Sequence, residues 1–170
     1  MLLQGTPIIG NFNIVNLIPP TTNATGSSNL ASDVVALKKY FSLDSIIQFS
    51  THADAGILTV YKSSDLTTNS TQAVAFKYYY STQASVDTLS TEYTATSTGV
   101  TLGTVDNALY VFRVTQEDLI SSAQGLSGTT NLTHPNVYFT ITESTGQTVS
   151  AIGLMSGTRY TRQPMPTAIS

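Results

Sequence analysis

The chain has no cysteine and no tryptophan, and only 10% of its residues are charged, where about 25% is usual. Without cysteine there is no disulfide framework, no thiolate nucleophile and no cysteine-ligated zinc, and either redox compartment suits it. Seven Lys and Arg are scattered along the chain against ten Asp and Glu, giving a net charge of −3 and a pI near 5.1. That balance carries no footprint of a nucleic-acid binder. No window approaches the ~18 consecutive apolar residues of a membrane span. The opening Met1-Leu-Leu-Gln-Gly-Thr-Pro7 has no basic region and no sustained apolar run, so a soluble protein made in the cytosol is expected.

What is abundant is uncharged polarity. Ser and Thr make up about 28% of the 170 residues, well above ordinary usage. Thr favours strands, and Ser favours turns and caps, so the bias suits an all-β protein with many loops. Disorder is the competing reading of such a composition. The 41% apolar residues, with nine Tyr and six Phe, supply enough core to set it aside. The length fits one domain, and no internal repeat stands out.

The run Ala108–Val114 organises the rest. It is aliphatic, aromatic or β-branched everywhere but Arg113, too short for an ordinary helix, and preceded by the turn pair Asp106-Asn107. Read as a central strand, it puts Ala108, Tyr110, Phe112 and Val114 on one face and Leu109, Val111 and Arg113 on the other. A strand apolar on both faces is covered on both sides or lies at a contact with another subunit.

Taken in order, residues 1–20 read as an extended arm, because Pro7, Pro19 and Pro20 exclude helix. The arm is either an edge strand of the domain's own sheet or an addition to a neighbour's sheet. Residues 33–40 make a short strand. Residues 45–62 read as a β-hairpin turning at His52–Gly56. Ala73–Tyr80 is one strand, with Val74, Phe76, Tyr78 and Tyr80 on one face and Lys77 and Tyr79 on the other. Short strands at Glu92–Thr96 and Val100–Leu102 flank Ser97-Thr98-Gly99. A helical turn at Gln116–Ala123 ends at Gly125, and Val137–Thr142 and Val149–Met155 close the set. Seven to nine short strands without a long helix predict an all-β fold, a β-sandwich of jelly-roll or Greek-key type, with a closed barrel as the alternative. The expected organisation is the arm, a single sandwich over 21–160, and an extended tail over 161–170.

No stretch carries catalytic chemistry. His52 and Asp54 share one turn, with Asp65 in the next loop, short of the three or more ligands and outer shell that a metal site needs. No Gly-x-Ser-x-Gly elbow is present, and His134 precedes Pro135 with no carboxylate nearby. The three glutamates Glu92, Glu117 and Glu143 are not paired across a strand face. Glu117-Asp118 reads instead as the start of a helical turn, where negative charge is favoured. No Gly-rich phosphate loop exists. Asn23-Ala-Thr25, Asn69-Ser-Thr71 and Asn131-Leu-Thr133 match the glycosylation pattern, as chance matches do in a Thr-rich chain. Neither an enzyme nor a cofactor is expected. Tyr78-Tyr79-Tyr80 supplies core on one face and a contact or sugar-binding surface on the other.

Three stretches in order carry a resemblance. They are Asp33-Val-Val-Ala-Leu-Lys-Lys-Tyr40 with Ser45-Ile-Ile-Gln-Phe49 and Gly56-Ile-Leu-Thr-Val60; Asn107-Ala-Leu-Tyr-Val-Phe-Arg-Val-Thr-Gln-Glu-Asp-Leu119; and Leu154-Met-Ser-Gly-Thr-Arg-Tyr160 with Pro166-Thr-Ala-Ile169. The chain resembles small β-sandwich proteins of tailed-phage virions that decorate or complete the head, over most of residues 33–169. It departs from them in the longer, Thr-rich loop Gly125–Pro135. The resemblance implies a non-enzymatic role in a virion assembled in the host cytoplasm, decorating or cementing the shell. Its implied partners are the phage major capsid protein and copies of the chain itself as a homo-oligomer, with no nucleic acid and no membrane. Subunit contacts are expected at Ile8, Phe12, Ile14 and Leu17 of the arm, at Tyr79 and Arg113, and at Arg159, Tyr160 and Arg162 of the tail. A receptor- or carbohydrate-binding module of a tail fibre, or a head-to-tail connector, is the alternative.

Overall fold

The computed structural model describes residues 12–23, 29–52, 55–68, 71–81, 88–104, 106–121, 134–142 and 147–158. The strands are β1 (Phe12–Asn23), β2 (Leu30–Ala31), β3 (Val35–Ala36), β4 (Tyr40–His52), β5 (Ile57–Ser63), β6 (Gln72–Ala73), β7 (Phe76–Ser81), β8 (Tyr93–Ala95), β9 (Val100–Thr101), β10 (Leu109–Thr115), β11 (Asn136–Thr142) and β12 (Gln147–Thr158). One short helix, α1 (Gln116–Ser121), follows β10. One antiparallel sheet runs β1-β12-β4-β10-β7-β8. The other runs β2-β11-β5-β6, with β3 also on β11 and β9 also on β5. The two pack as a β-sandwich, as the strand count predicts. The two-residue strands of the second sheet form broken outer lanes around the β11–β5 pair.

The strand at Leu109–Thr115 is interior, hydrogen-bonded to β4 and β7. Its inward residues Tyr110, Phe112 and Val114 are buried, as is Ala108 just before it. Phe112 meets Phe76 of its own sheet at 5.5 Å and Phe139 of the opposite sheet at 5.3 Å, both edge-on. This edge-to-face geometry locks the two layers at the centre of the core.

Two expectations need correction. Residues 45–62 do not form a hairpin. β4 pairs with β10 and β12, and β5 pairs with β11, β6 and β9, so the connection carries the chain across the sandwich. Ile47 and Phe49 face Leu58 and Val60 across the core, each fully buried. Alternation reports which face of a strand is buried, and it is the same for a partner alongside and one opposite. Ala73–Tyr80 is likewise not one strand. Gln72-Ala73 pairs with β5 in one sheet, and Phe76–Ser81 pairs with β10 in the other. Val74 still donates its N–H to the Val60 carbonyl at 3.0 Å, and the switch follows it.

α1 starts where expected. Thr115 is its N-cap: Asp118 N–H donates to Thr115 Oγ1 at 3.2 Å, and Thr115 N–H donates to Asp118 Oδ2 at 2.8 Å. This is a reciprocal capping box that satisfies donors the helix leaves unpaired. The helix has no basic residue in its last turn. Lys62, 1% exposed, supplies one from β5, donating from Nζ to the Leu119 carbonyl at 2.9 Å. Its burial pushes the ammonium pKa down. The expected stop at Gly125 lies outside the described residues.

Among the described residues β1 is the outer strand of the six-stranded sheet, paired with β12. Irregularities between Asn16 and Ile18 turn both Leu17 and Ile18 inward, each 2% exposed. Leu17, expected at a subunit contact, therefore lies in the chain's own core. Pro19-Pro20 sits on the edge, where the missing N–H breaks no inner ladder. Residues 1–11 of the expected arm and the tail from 159 lie outside the described residues.

Candidate functional site

The outer face of the six-stranded sheet is built by registry. Asn16, Ile152, Ile46, Val111 and Tyr79 lie opposite one another across β1, β12, β4, β10 and β7. At ~4.8 Å per strand this row runs about 20 Å. Ile152 is 43% exposed, and Ile46, Val111 and Tyr79 are half-buried. The row on one side begins with Ile14, 49% exposed, and Leu154, then continues as Asp44, Arg113 and Lys77. The row on the other side is Ser150, Gln48, Leu109 and Ser81. An aliphatic band thus lies between a charged row and a mostly polar one, which is how the centre and rim of a protein contact are arranged.

The charges are matched within the chain. Arg113 holds Asp44 with two bonds, Nε to Oδ1 at 2.5 Å and Nη2 to Oδ2 at 3.2 Å, and the hydrogen bond to Asp44 raises its pKa further. Lys77, directly opposite Arg113, pairs with Glu92 at 2.7 Å. The Tyr79 hydroxyl donates to the other Glu92 oxygen at 2.7 Å. The hydrogen bonds from Lys77 and then Tyr79 hold the Glu92 carboxyl below its ordinary range, and the same bonds raise the pKa values of Lys77 and Tyr79. Two like charges side by side would repel. Each instead has an acid on its far side, so the row reads minus, plus, plus, minus.

Of the residues expected at a contact, Phe12, Ile14, Tyr79 and Arg113 share this face, and Ile8, Arg159, Tyr160 and Arg162 lie outside the described residues. Val111 already stands on the outward face in the sequence, whereas the band it forms with Ile46 and Ile152 is not legible there. Its one sequence signal is that all three are aliphatic at positions whose neighbours already supply the core.

A second feature lies between the layers. Tyr78 and Tyr80 of β7, Tyr110 of β10, and Val100, Thr101 and Gly103 at and after β9 line a cleft of about 360 Å³. Tyr80 stacks on Tyr110 at 5.9 Å and 25°, and on Tyr78 at 6.3 Å and 26°. Tyr93, 43% exposed, continues the wall, 5.6 Å from both Tyr78 and Tyr80. A hydrogen bond with Tyr93 raises the Tyr80 pKa, and burial raises that of Tyr110, whose hydroxyl accepts the Gly103 N–H at 2.9 Å. β7 was expected to present Tyr78 and Tyr80 together. Tyr93 joins them only through the β7–β8 pairing, in which it lies opposite Tyr78.

Among the described residues no group of three or more His, Cys, Asp or Glu is placed to hold a metal ion, and no helix is long and apolar enough to cross a membrane.

The strand pairing defines an all-β sandwich protein. No family model and no curated protein matches the chain. Among solved structures it is similar to chains of infectious bursal disease virus. For the Gx strain the identity is 12% and the TM-score 0.24, covering 86% of this chain and 41% of that one. For the Gt strain the identity is 13% and the TM-score 0.23, with the same coverage. The chain spans about two-fifths of the length of these viral chains. Likeness at this level carries no functional weight, and the sandwich rests on the hydrogen-bonded registers alone.

Proposed function

We propose that this chain is a non-enzymatic structural protein of a phage virion, decorating or cementing the capsid shell through contacts with the major capsid protein and with copies of itself. The observation that carries the reading is the outer-face band of Ile152, Ile46 and Val111 beside Ile14 and Leu154. A solvated sheet face ordinarily alternates to polar residues, whereas this one keeps aliphatic residues across three adjacent inner strands. The resemblance over residues 33–169 supports the placement in a virion.

The test is a surface variant carrying Ile14→Asp and Ile152→Asp, both at positions more than two-fifths exposed. Fewer copies per purified particle are expected, with the thermal midpoint of the free protein unchanged. Wild-type copy number on such particles would remove this face as the contact. Labelled micrographs separate the alternatives: label over the shell fits decoration, label at fibre tips fits a receptor-binding module, and a few copies at the neck fit a connector. The receptor-binding reading has its own observation in the tyrosine-lined cleft.

A further inference from the structure

We propose that the cleft between the β7–β10 face and β9 binds a neutral saccharide, with Tyr93, Tyr78 and Tyr80 as the stacking wall. Three features select this ligand class. First, every described lining residue is uncharged: Tyr78, Tyr80, Tyr110, Val100, Thr101 and Gly103. The charges of this part of the sheet lie on the other side, because Lys77 and Tyr79 alternate outward to Glu92. An ionic ligand would find no counter-charge among the described lining residues.

Second, the wall is a run of stacked tyrosines that reaches the exposed ring of Tyr93. Adjacent rings lie within 25–35° of parallel at 5.6–6.3 Å. The C–H face of a pyranose stacks on such a surface, since polarised C–H groups meet the negative face of the ring. A polyproline helix also docks on aromatic-lined grooves, so a polyproline peptide is the discriminating comparator.

Third, hydroxyls meet hydroxyls. The Tyr110 oxygen accepts from the Gly103 N–H, and its own O–H has no acceptor among the described residues. Thr101 adds an exposed hydroxyl at the rim. These groups both donate and accept, as sugar hydroxyls do. The volume of about 360 Å³ falls at the small end of the ~300–1,000 Å³ of small-molecule sites.

The site is independent of the shell reading, because it lies inside the sandwich and the proposed contact lies on the outer face. It is tested on the full chain by saturation-transfer NMR with methyl glycosides of glucose, galactose, mannose and N-acetylglucosamine. Sialyllactose and a polyproline peptide are the comparators. Saturation transfer to at least one neutral glycoside is expected. Tyr93→Ala should weaken it about tenfold at an unchanged thermal midpoint, because the ring is 43% exposed and carries little of the core. Should that variant unfold, Tyr80→Phe keeps the ring, removes the hydroxyl and is expected to weaken binding several-fold. Silence from every neutral glycoside at tens of millimolar overturns the proposal. So does binding indifferent to both substitutions, or binding of the polyproline peptide in place of the sugars.

Discussion

A Cβ added at Gly153 would lie 2.8 Å from Leu43 Cδ1, 2.9 Å from Val15 Cγ2 and 3.0 Å from Leu17 Cδ1. The residue faces inward on β12, and its missing side chain is what lets β1 bring Leu17 down into the core. Gly153→Ala is expected to destabilise by about 1–3 kcal/mol, read as a lower urea midpoint at constant m-value. An unchanged midpoint would mean that β1 shifts freely. Gly99 is different, since its φ of +87° and the Leu58 carbonyl that an added Cβ would strike both demand glycine. Arg113 stands out in the sequence as the single charge on an apolar strand, and the residue that answers it is Asp44, 69 positions away. Only the β4–β10 register brings them together, so no local pattern could have named the partner. Lys62 is a similar case. By alternation it falls on the inner face with Leu58 and Val60, and its burial becomes intelligible only once the Leu119 carbonyl lies above it.

At the scale of elements, legibility followed how local the cause was. The capping box of α1 lies within four consecutive residues, Thr115 to Asp118, and the helical start was readable from them. Thr115→Ala removes the cap and should cost about 1 kcal/mol. A thermal melt of the variant checks this, and no loss of midpoint would show that the helix is held by Lys62 and packing alone. The β4–β5 connection was misread because pairing is not local. Both flanking strands are amphipathic, and a turn rich in Ala, Asp and Gly serves a hairpin and a crossing equally well. β7 changed sheet beside Val74 for the same reason, since one run of alternating residues can supply two sheets in succession.

For the whole molecule the N-terminal segment decides what can be removed. Leu17 and Ile18 are core residues, and β1 closes one side of the six-stranded sheet against β12. Deleting residues 1–18 is therefore expected to unfold the domain, while deleting residues 1–11 leaves every described strand and every described core residue. Circular dichroism melts of the two truncations distinguish these outcomes, and a cooperative wild-type transition after the longer deletion would overturn the assignment of β1. Any role of the N-terminal arm in assembly is then tested with the shorter deletion, by counting copies on particles. If the 1–11 deletion still decorates at wild-type level, the arm is not needed for the contact.

The sequence by itself determined the fold class, the identity of the central strand, the faces of most strands and the helical start after it. These follow from alternation, β-branching and capping, which act between residues a few positions apart. It also put Tyr79 and Arg113 on the faces of their strands that point away from the core, where the structure has them. Only the tertiary structure decided which strands share a sheet, that Leu17 turns inward, and that Tyr93 joins Tyr78 and Tyr80. The same holds for the aliphatic band and the charged row on the outer face. Each depends on register between strands distant in sequence, and register is set by how the whole core packs.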